Sequence, residues 1–199
     1  MKNIIFDIGN VLVKWDPVNI IKKAFPKCTN PQNYLLLFKE IIIELDSGYI
    51  DFATAKTKLQ ECLNTSKEQI DQLFKIFLGS LTALPDNIEL LNKLANNSAY
   101  SLYCLTNMSN ECFVYLNKQY DFFAKFKGIV VSADIKLIKP DHKIYAYILN
   151  KFKLTPQETI FIDDMLENIT AAKEMGIYGI HFTDLAACKN ELKALNIIV

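Results

Sequence analysis

Short apolar runs recur along the chain, and longer segments with apolar residues at helical spacing lie between most of them. Five runs are rich in Ile, Val, Phe and Tyr and have the length of buried strands. They are Asn3–Phe6, Ser101–Leu105, Gly128–Val131, Thr159–Ile162 and Tyr178–Phe182. Because strands that alternate with helices form parallel sheets covered on both faces, the pattern predicts an α/β fold with a three-layer parallel sheet.

Capping residues and helical periodicity mark the segments between these strands. Helices are predicted over Asn110–Gln119 and His142–Phe152. Thr155–Glu158 is typical of a capping box with Pro at the first helical position, and Gly176 is expected to end a helix over Ile169–Met175. Thr183 is expected to cap a C-terminal helix.

The segment from Lys14 to Leu84 has no strand pattern but contains four helix starts, each an N-cap residue followed by apolar residues at helical spacing. These starts are Asp16-Pro17, Asn30-Pro31, Asp51 and Thr65–Glu68. We therefore predict an all-helical cap over residues 14–84, inserted into a core domain made of residues 1–13 and 85–199. The aromatic residues and leucines of Tyr34–Leu45 are expected to form the inside of this cap and not a substrate surface.

Composition narrows the function without identifying it. The chain is 51% hydrophobic, and its 22 basic residues, all of them Lys, balance 22 acidic ones, so nucleic acid is not an expected partner. Five Cys residues without a C-x-x-C pair argue against a zinc knuckle or a disulfide framework. The sequence has no secretory apolar region and no apolar run near the roughly 18 residues of a membrane span, so a cytoplasmic protein without membrane contact is expected.

Polar residues stand at the carboxyl ends of three predicted strands. Asp7 follows the first strand, Thr106 and Asn107 follow the second, and Asp163 and Asp164 follow the fourth. Each alone could cap the next helix, but strand ends of a parallel sheet lie along one edge, where ligands bind. Three carboxylates gathered there would repel one another unless a cation such as Mg²⁺ or a lysine compensates them.

Four motifs in this order resemble those of the haloacid dehalogenase-like superfamily. They are Asp7–Leu12, Leu105–Asn107, Lys139–Asp141 and Phe161–Asp164. The resemblance spans the whole chain, including the helical cap after the first motif. It implies a Rossmann-like core and magnesium-dependent hydrolysis of a phosphate ester. The opening FDIGNVL is similar to bacterial phosphatases active on sugar 1-phosphates, so the expected substrate is a small phosphorylated metabolite, a sugar phosphate.

The resemblance also implies a nucleophile and a metal site. Asp7 would attack phosphorus and become an aspartyl phosphate, which divides one displacement into two. Mg²⁺ would be held by Asp7, Asp164 and the main-chain carbonyl of Gly9, and by Asp163 directly or through water. The ion would shield the carboxylate from the phosphate and neutralise charge on its oxygens.

Phosphate binding is implied for three further residues. Thr106 and the backbone N–H of Asn107 would bind a phosphate oxygen, and Lys139 would pair with both the nucleophile and the phosphate. Asn168 is expected either to orient the metal site or to be an ordinary residue in the first turn of a helix.

Three other residues have competing or structural interpretations. Trp15 is expected to contact substrate or to pack at the hinge between cap and core. His142 and His181 have no partner at a useful spacing, and structural roles are expected for both.

Gly9 departs from the superfamily's phosphatase pattern, in which an Asp at this position protonates the leaving oxygen and then activates water. The leaving group could depart with little protonation, as an anomeric sugar hydroxyl would. Another carboxylate could replace the Asp, with Asp16 the nearest in sequence, although Asp16 fits an N-cap well. The protein could also be a binding or regulatory protein without turnover. Dehalogenases of the superfamily lack this Asp too, but they usually lack the acidic pair present here as Asp163-Asp164.

Overall fold

A computed structural model describes residues 2–198 and contains a five-stranded, wholly parallel sheet. The strands are β1 (Asn3–Phe6), β2 (Ser101–Thr106), β3 (Gly128–Val131), β4 (Thr159–Asp163) and β5 (Tyr178–His181). Their order across the sheet is β3-β2-β1-β4-β5. All five predicted strands are present within one residue at their carboxyl ends, and the predicted α/β fold is confirmed.

Ten α-helices connect these strands in the described part of the chain. They are α1 (Pro17–Ala24), α2 (Pro31–Asp46), α3 (Phe52–Leu63), α4 (Lys67–Ser80), α5 (Pro85–Ala95), α6 (Asn110–Gln119), α7 (Ser132–Ile135), α8 (His142–Phe152), α9 (Leu166–Glu174) and α10 (Leu185–Ala194). Short 3₁₀ turns lie at Asp121–Lys125 and Pro156–Glu158. Among residues 2–198, we find no helix whose length and apolar character would let it cross a membrane.

The two faces of the sheet bury different side chains because successive strand residues point in opposite directions. In β1, Ile4 and Phe6 join the larger apolar cluster, while Ile5 joins the cluster on the other face with Phe161 of β4 and Ile144 of α8. Strands buried on both faces are typical of parallel sheets. The resulting scaffold fixes the carboxyl ends of the strands.

Helices α1–α4 lie within the predicted cap segment and have an apolar cluster of their own. Asp16, Asn30, Asp51 and Ser66 each accept a hydrogen bond from a backbone N–H in the first turn of the helix that follows. Four helix starts are thus where the sequence predicts them, except that Ser66 and not Thr65 caps α4. The limits of the cap at residues 14 and 84 stay a prediction.

Two capping predictions in the core are wrong. Thr155 makes no side-chain capping bond, and Pro156–Glu158 is a single 3₁₀ turn, since β4 begins at Thr159 and leaves no room for an α-helix. The C-terminal helix is capped by Asp184, whose side chain accepts from Ala187 N at 2.8 Å, and not by Thr183. By contrast, Gly176 does follow a helix, at φ +78°, as predicted.

Candidate active site

The carboxyl ends of β1, β2 and β4 meet at one edge of the sheet. Strand β1 lies between the other two and pairs with both of them. Asp7 directly after β1, Thr106 at the end of β2 and Asp163 at the end of β4 therefore lie in adjacent positions. The convergence predicted from the sequence follows from this strand order.

Three carboxyl groups form the centre of this edge. Asp7, Asp163 and Asp164 each offer an oxygen atom, and these atoms lie within 4.8 Å of one another. The buried Asp163 accepts a hydrogen bond from Asn168 Nδ2 at 2.9 Å, so Asn168 orients one member of the group. Asp164 accepts one from Asn10 Nδ2 at 3.0 Å. Both acids of the pair are thus held in place before any ligand binds.

Lys139 lies between two of these carboxylates. Its Nζ is 2.8 Å from Asp7 Oδ1 and 2.6 Å from Asp163 Oδ2, and it also donates to Leu105 O at 3.2 Å. The side chain is only 1% exposed, so this is a buried ion-pair network and not a surface lysine. The sequence prediction that Lys139 pairs with Asp7 agrees with this geometry.

Asn107 holds Lys139 in position. Its side-chain amide donates to Lys139 O at 2.9 Å and accepts from Lys139 N at 2.8 Å. The side chain is therefore occupied with the main chain of the lysine loop, which the sequence did not predict. Thr106 beside it is 1% exposed, at the start of the loop that leads from β2 to α6. Phosphate binding by Thr106 and by the Asn107 N–H stays a prediction.

Burial and crowding shift the titration of the acidic groups. Burial raises the pKa of Asp7 to about 7, since the opposing charge of Lys139 does not fully offset it and Asp163 adds to the rise. Burial also raises the pKa of Asp164. Burial alone would lower the pKa of Lys139, but Asp163 and Asp7 outweigh it and raise that pKa. The site thus contains more negative charge than one ammonium group neutralises.

Gly9 lines the same cavity as Asp7 and has a backbone open to substitution. It is not among the glycines at positive φ in residues 2–198. A Cβ placed on it would meet no atom outside its neighbouring residues closer than Asp7 Oδ2, at 4.0 Å. The loop therefore has room for a Cβ at this position, and neither a close contact of that atom nor a positive φ requires glycine here.

A cavity of about 350 Å³ extends from these polar residues into the cap. Its floor contains Asp7, Thr106, Asn107, Lys139 and Asp164. Its walls are formed mostly by apolar side chains of the cap helices. These include Ile20, Ile21, Leu35, Phe38, Ile41, Ile42, Leu45, Leu59, Leu73, Phe74 and Phe77.

Helix α2 supplies five of these wall residues, from Leu35 to Leu45. The prediction that Tyr34–Leu45 forms the inside of the cap and not a substrate surface is therefore incomplete. Phe38 and Leu45 belong to the apolar cluster of the cap and also line the cavity. Leu36, Leu37 and Ile43 lie on the opposite, exposed side of the helix. One helix thus packs the cap and lines the cavity that contains Asp7.

Asp46 is a cavity-lining acid that the sequence analysis missed. It is the last residue of α2, and its main-chain carbonyl accepts a hydrogen bond from Ser132 Oγ at the start of α7. Burial raises the pKa of Asp46 to about 7; the Ser109 N–H lowers it in part, and the charge of Asp7 raises it further. The sequence contained a signal for this acid. An acid at a helix C-terminus interacts unfavourably with the helix dipole, and no basic residue in the last turn of α2 offsets it, which indicates a role other than helix stabilisation.

The remaining candidates have structural partners. Asp16 is half-exposed, caps α1 by accepting from Asn19 N at 3.0 Å, and is not among the residues lining the cavity. Trp15 lines the cavity and also packs edge-on against Phe77, with ring centroids 5.5 Å apart. The ring of His142 pairs with Glu174 on the surface, and His181 Nε2 lies 3.0 Å from Asp164 O.

Comparisons with known proteins agree with this architecture. A family model for haloacid dehalogenase-like hydrolases matches residues 1–176. A protein of Aspergillus oryzae named a sesquiterpene phosphatase is 28% identical over 194 residues, which cover 98% of this chain and 96% of that protein.

Two solved structures extend the comparison. A HAD family enzyme of Bacteroides thetaiotaomicron, in a magnesium complex, has a TM-score of 0.76 and 28% identity over 90% of this chain and 92% of its own. The L-2-haloacid dehalogenase of Xanthobacter autotrophicus has a TM-score of 0.66 at 16% identity, covering 100% of this chain and 85% of its own, and is similar in fold alone.

Proposed function

This chain belongs to the haloacid dehalogenase-like hydrolases, and from that premise we propose that it is a magnesium-dependent phosphatase with Asp7 as its nucleophile. The observation that supports the proposal is the placement of Asp7 at a strand end, 2.8 Å from a buried lysine and beside a second and third carboxylate. The relative named a phosphatase and the magnesium complex of the Bacteroides relative point the same way.

The residues of the chain divide the reaction between them. An Asp7 oxygen attacks phosphorus, the bond from phosphorus to the ester oxygen breaks, and an aspartyl phosphate forms. Water then attacks phosphorus, and phosphate leaves with Asp7 restored. Lys139, the Thr106 hydroxyl and the Asn107 N–H bind phosphate oxygens, while Asn107 and Asp163 keep Lys139 in place.

The acidic residues fit Mg²⁺ as a ligand set. Carboxylate oxygens are the ligands this ion prefers, and three carboxyl groups lie together here while the ammonium group of Lys139 pairs with two of them. Asp7, Asp163, Asp164 and the Gly9 carbonyl would hold the ion. When bound, it would supply charge neutralisation for the phosphate and shield the nucleophile from it.

The acidic pair Asp163-Asp164 favours a phosphate ester over a 2-haloacid as the substrate. A carboxylic acid bearing a halogen would bring less charge to the site than a phosphate, and would not need a cation held by three carboxylates. Asp163 and Asp164 are both present and both held by hydrogen bonds. This supports a phosphatase over a 2-haloacid dehalogenase. The other alternative is a binding or regulatory protein. Such a protein would not hydrolyse any ester, so a turnover assay distinguishes it from an enzyme.

We further propose that the organic part of the ester is apolar. The walls above the polar floor are formed by side chains such as Phe38, Ile41, Leu59 and Phe74, which cannot hydrogen-bond to sugar hydroxyls. The relative named a sesquiterpene phosphatase has a name that implies such a substrate. The resemblance of FDIGNVL to sugar 1-phosphate phosphatases favours a sugar instead, so the two candidates make opposite predictions.

A substrate series separates the two. We would measure kcat/KM with Mg²⁺ for primary alkyl phosphates from ethyl to decyl phosphate and for glucose 1-phosphate. Each methylene buried in the cap should increase kcat/KM about fourfold, from about 0.8 kcal/mol per CH₂, until the cavity is full. Preference for glucose 1-phosphate over the long esters would restore the sugar assignment. Absence of Mg²⁺-dependent turnover with any ester would favour the regulatory alternative.

Metal binding can be measured without turnover. Mg²⁺ should raise the Tm of the wild-type protein, because the ion binds only the folded state. The rise should shrink in Asp164→Asn and persist in Asp121→Asn, which changes an exposed acid far from the cavity lining. An equal rise in both variants would place the ion elsewhere.

A further inference from the structure

The position of Gly9 leaves the proposed reaction without a proton donor. An alkyl leaving oxygen needs a proton as its bond to phosphorus breaks, and the attacking water must later lose one. We propose that Asp46 of the cap helix α2 is the general acid for the first step and the general base for the second. The inference rests on the phosphatase function proposed above and adds a catalytic residue to it.

Location is the first argument. Among the described residues, the carboxyl groups that line the cavity belong to Asp7, Asp46 and Asp164. Asp7 and Asp164 are members of the carboxylate cluster at the sheet edge, and Asp46 is not. Asp46 lines the cavity from the end of α2, close enough to the cluster for the charges of Asp7 and Lys139 to act on its carboxyl group. It is thus the one cavity-lining carboxyl in residues 2–198 that is free of the proposed metal site.

A second argument is that Asp46 is anchored to the core. Ser132 Oγ donates to the main-chain carbonyl of Asp46 and accepts from Met108 N at 2.9 Å, in the loop that follows Thr106. Two residues on, Gly48 at φ +67° packs so closely on Ala133 that a Cβ there would lie 2.2 Å from the Ala133 carbonyl oxygen. The end of α2 is therefore fixed beside the loop that would hold the phosphate.

The protonation state suits the role. Burial raises the pKa of Asp46 to about 7, so a large fraction of the side chain carries a proton near neutral pH. The charged groups that act on it are Asp7, which raises the pKa, and Lys139, which lowers it; the Cys112 thiol also faces it. An acid with a pKa close to the working pH is the most effective general acid.

The proton balance closes over both steps. In the first, the ester oxygen leaves phosphorus with the bonding electron pair and takes the Asp46 proton, which releases an alcohol. In the second, the Asp46 carboxylate takes a proton from water as the water oxygen bonds to phosphorus and the bond to the Asp7 oxygen breaks. Phosphate is released, and both aspartates return to their starting states.

The test compares leaving groups that differ in their need for a proton. Asp46→Asn should slow phosphoenzyme formation from hexyl phosphate by about 10²–10⁴-fold, the usual size of general acid catalysis, and should slow it far less with p-nitrophenyl phosphate. Hydrolysis of the phosphoenzyme should be slow with both esters, so p-nitrophenyl phosphate should give a burst of one equivalent of p-nitrophenol. Glu44→Gln is the matched control, since Glu44 is an acid of the same helix that pairs with Lys58 and is not among the residues lining the cavity.

Rescue distinguishes a catalytic from a structural role. Gly9→Asp in the Asp46→Asn background should restore turnover of hexyl phosphate, because the loop has room for a Cβ at this position and the added carboxyl group can supply the proton; Gly9→Ala should not. Equal losses with both esters, or no loss, would overturn the role of Asp46. Absence of phosphoenzyme in the wild-type protein would instead overturn the proposed function itself.

Discussion

The carboxyl edge of the sheet and the wall of the cap cavity face the same space, yet they are built differently. At the edge, the three carboxyl groups and Lys139 are held by short hydrogen bonds, and residues 2–198 contain no buried side-chain N or O without a partner. The wall is almost wholly apolar and has no comparable network. Fixed polar groups suit one unchanging reaction, whereas apolar packing tolerates changes of shape. Substitutions in the wall can therefore change the choice of substrate while the groups at the edge stay the same.

The largest effect should come from the nucleophile. Asp7→Asn should lower kcat by at least about 10⁴-fold, because an amide oxygen cannot form the proposed aspartyl phosphate. The Tm should not fall, since an amide removes a buried charge. Asp16→Asn is the control, and it should keep turnover within a few-fold because Asn also caps helices well. Loss of activity in the control instead would reassign the chemistry to Asp16.

Removing the lysine should test whether the edge depends on its ion pairs. Lys139→Met leaves Asp7 and Asp163 without their cation and should lower the free energy of unfolding by about 3–5 kcal/mol in EDTA. Lys127→Met, at an exposed lysine bonded to Ser101, should change it by less than about 0.5 kcal/mol. Urea denaturation measures both. Similar values for the two variants would mean that the buried pairs add no stability.

A change in the wall should alter substrate choice more than chemistry. Ile41→Ser places a polar group in the cavity and should lower kcat/KM for decyl phosphate by about tenfold, which is about 1.4 kcal/mol and slightly less than the roughly 1.5–3 kcal/mol of a fully buried aliphatic side chain. Ethyl phosphate should lose much less. Ile43→Ser changes the exposed side of the same helix, where 42% of the residue is accessible. Equal losses for long and short esters would argue that the wall does not contact the substrate.

The smallest expected effect is on stability, and it concerns Asp46. This acid lines the cavity but lies outside the carboxylate cluster at the sheet edge. The pKa of Asp46 is raised in the fold, so its contribution to stability is full below about pH 4 and is lost as pH rises through about 7. The amide introduced by Asp46→Asn does not titrate, so the Tm of this variant should exceed that of the wild type by a few degrees at pH 8. For a protein of this size, 1 kcal/mol of stability corresponds to about 2–4 °C in Tm. The difference should vanish near pH 4. A difference independent of pH would show that Asp46 is not buried in its charged form.

The sequence predicted the edge better than the wall. Asp7, Asp163 and Asp164 each end a buried apolar run, and parallel strands bring such ends together whatever the helices do. The wall depends on how α1–α4 pack on one another, which periodicity alone does not determine. The pattern of Tyr34–Leu45 therefore predicts one apolar role, whereas residues of this segment both pack the cap and line the cavity. Asp46 was missed because an acid near a helix end resembles a surface residue in the sequence, and only the packing of α2 places it in the cavity.

The bond between Ser132 and Asp46 has a consequence for the timing of the reaction. If the end of α2 moves away from the core to admit a substrate, this bond breaks. The proposed proton donor then leaves with the cap, while the nucleophile stays on the sheet. In the proposed mechanism, an open molecule would admit an ester without a proton donor for its leaving oxygen, so cleavage would wait until this bond forms again.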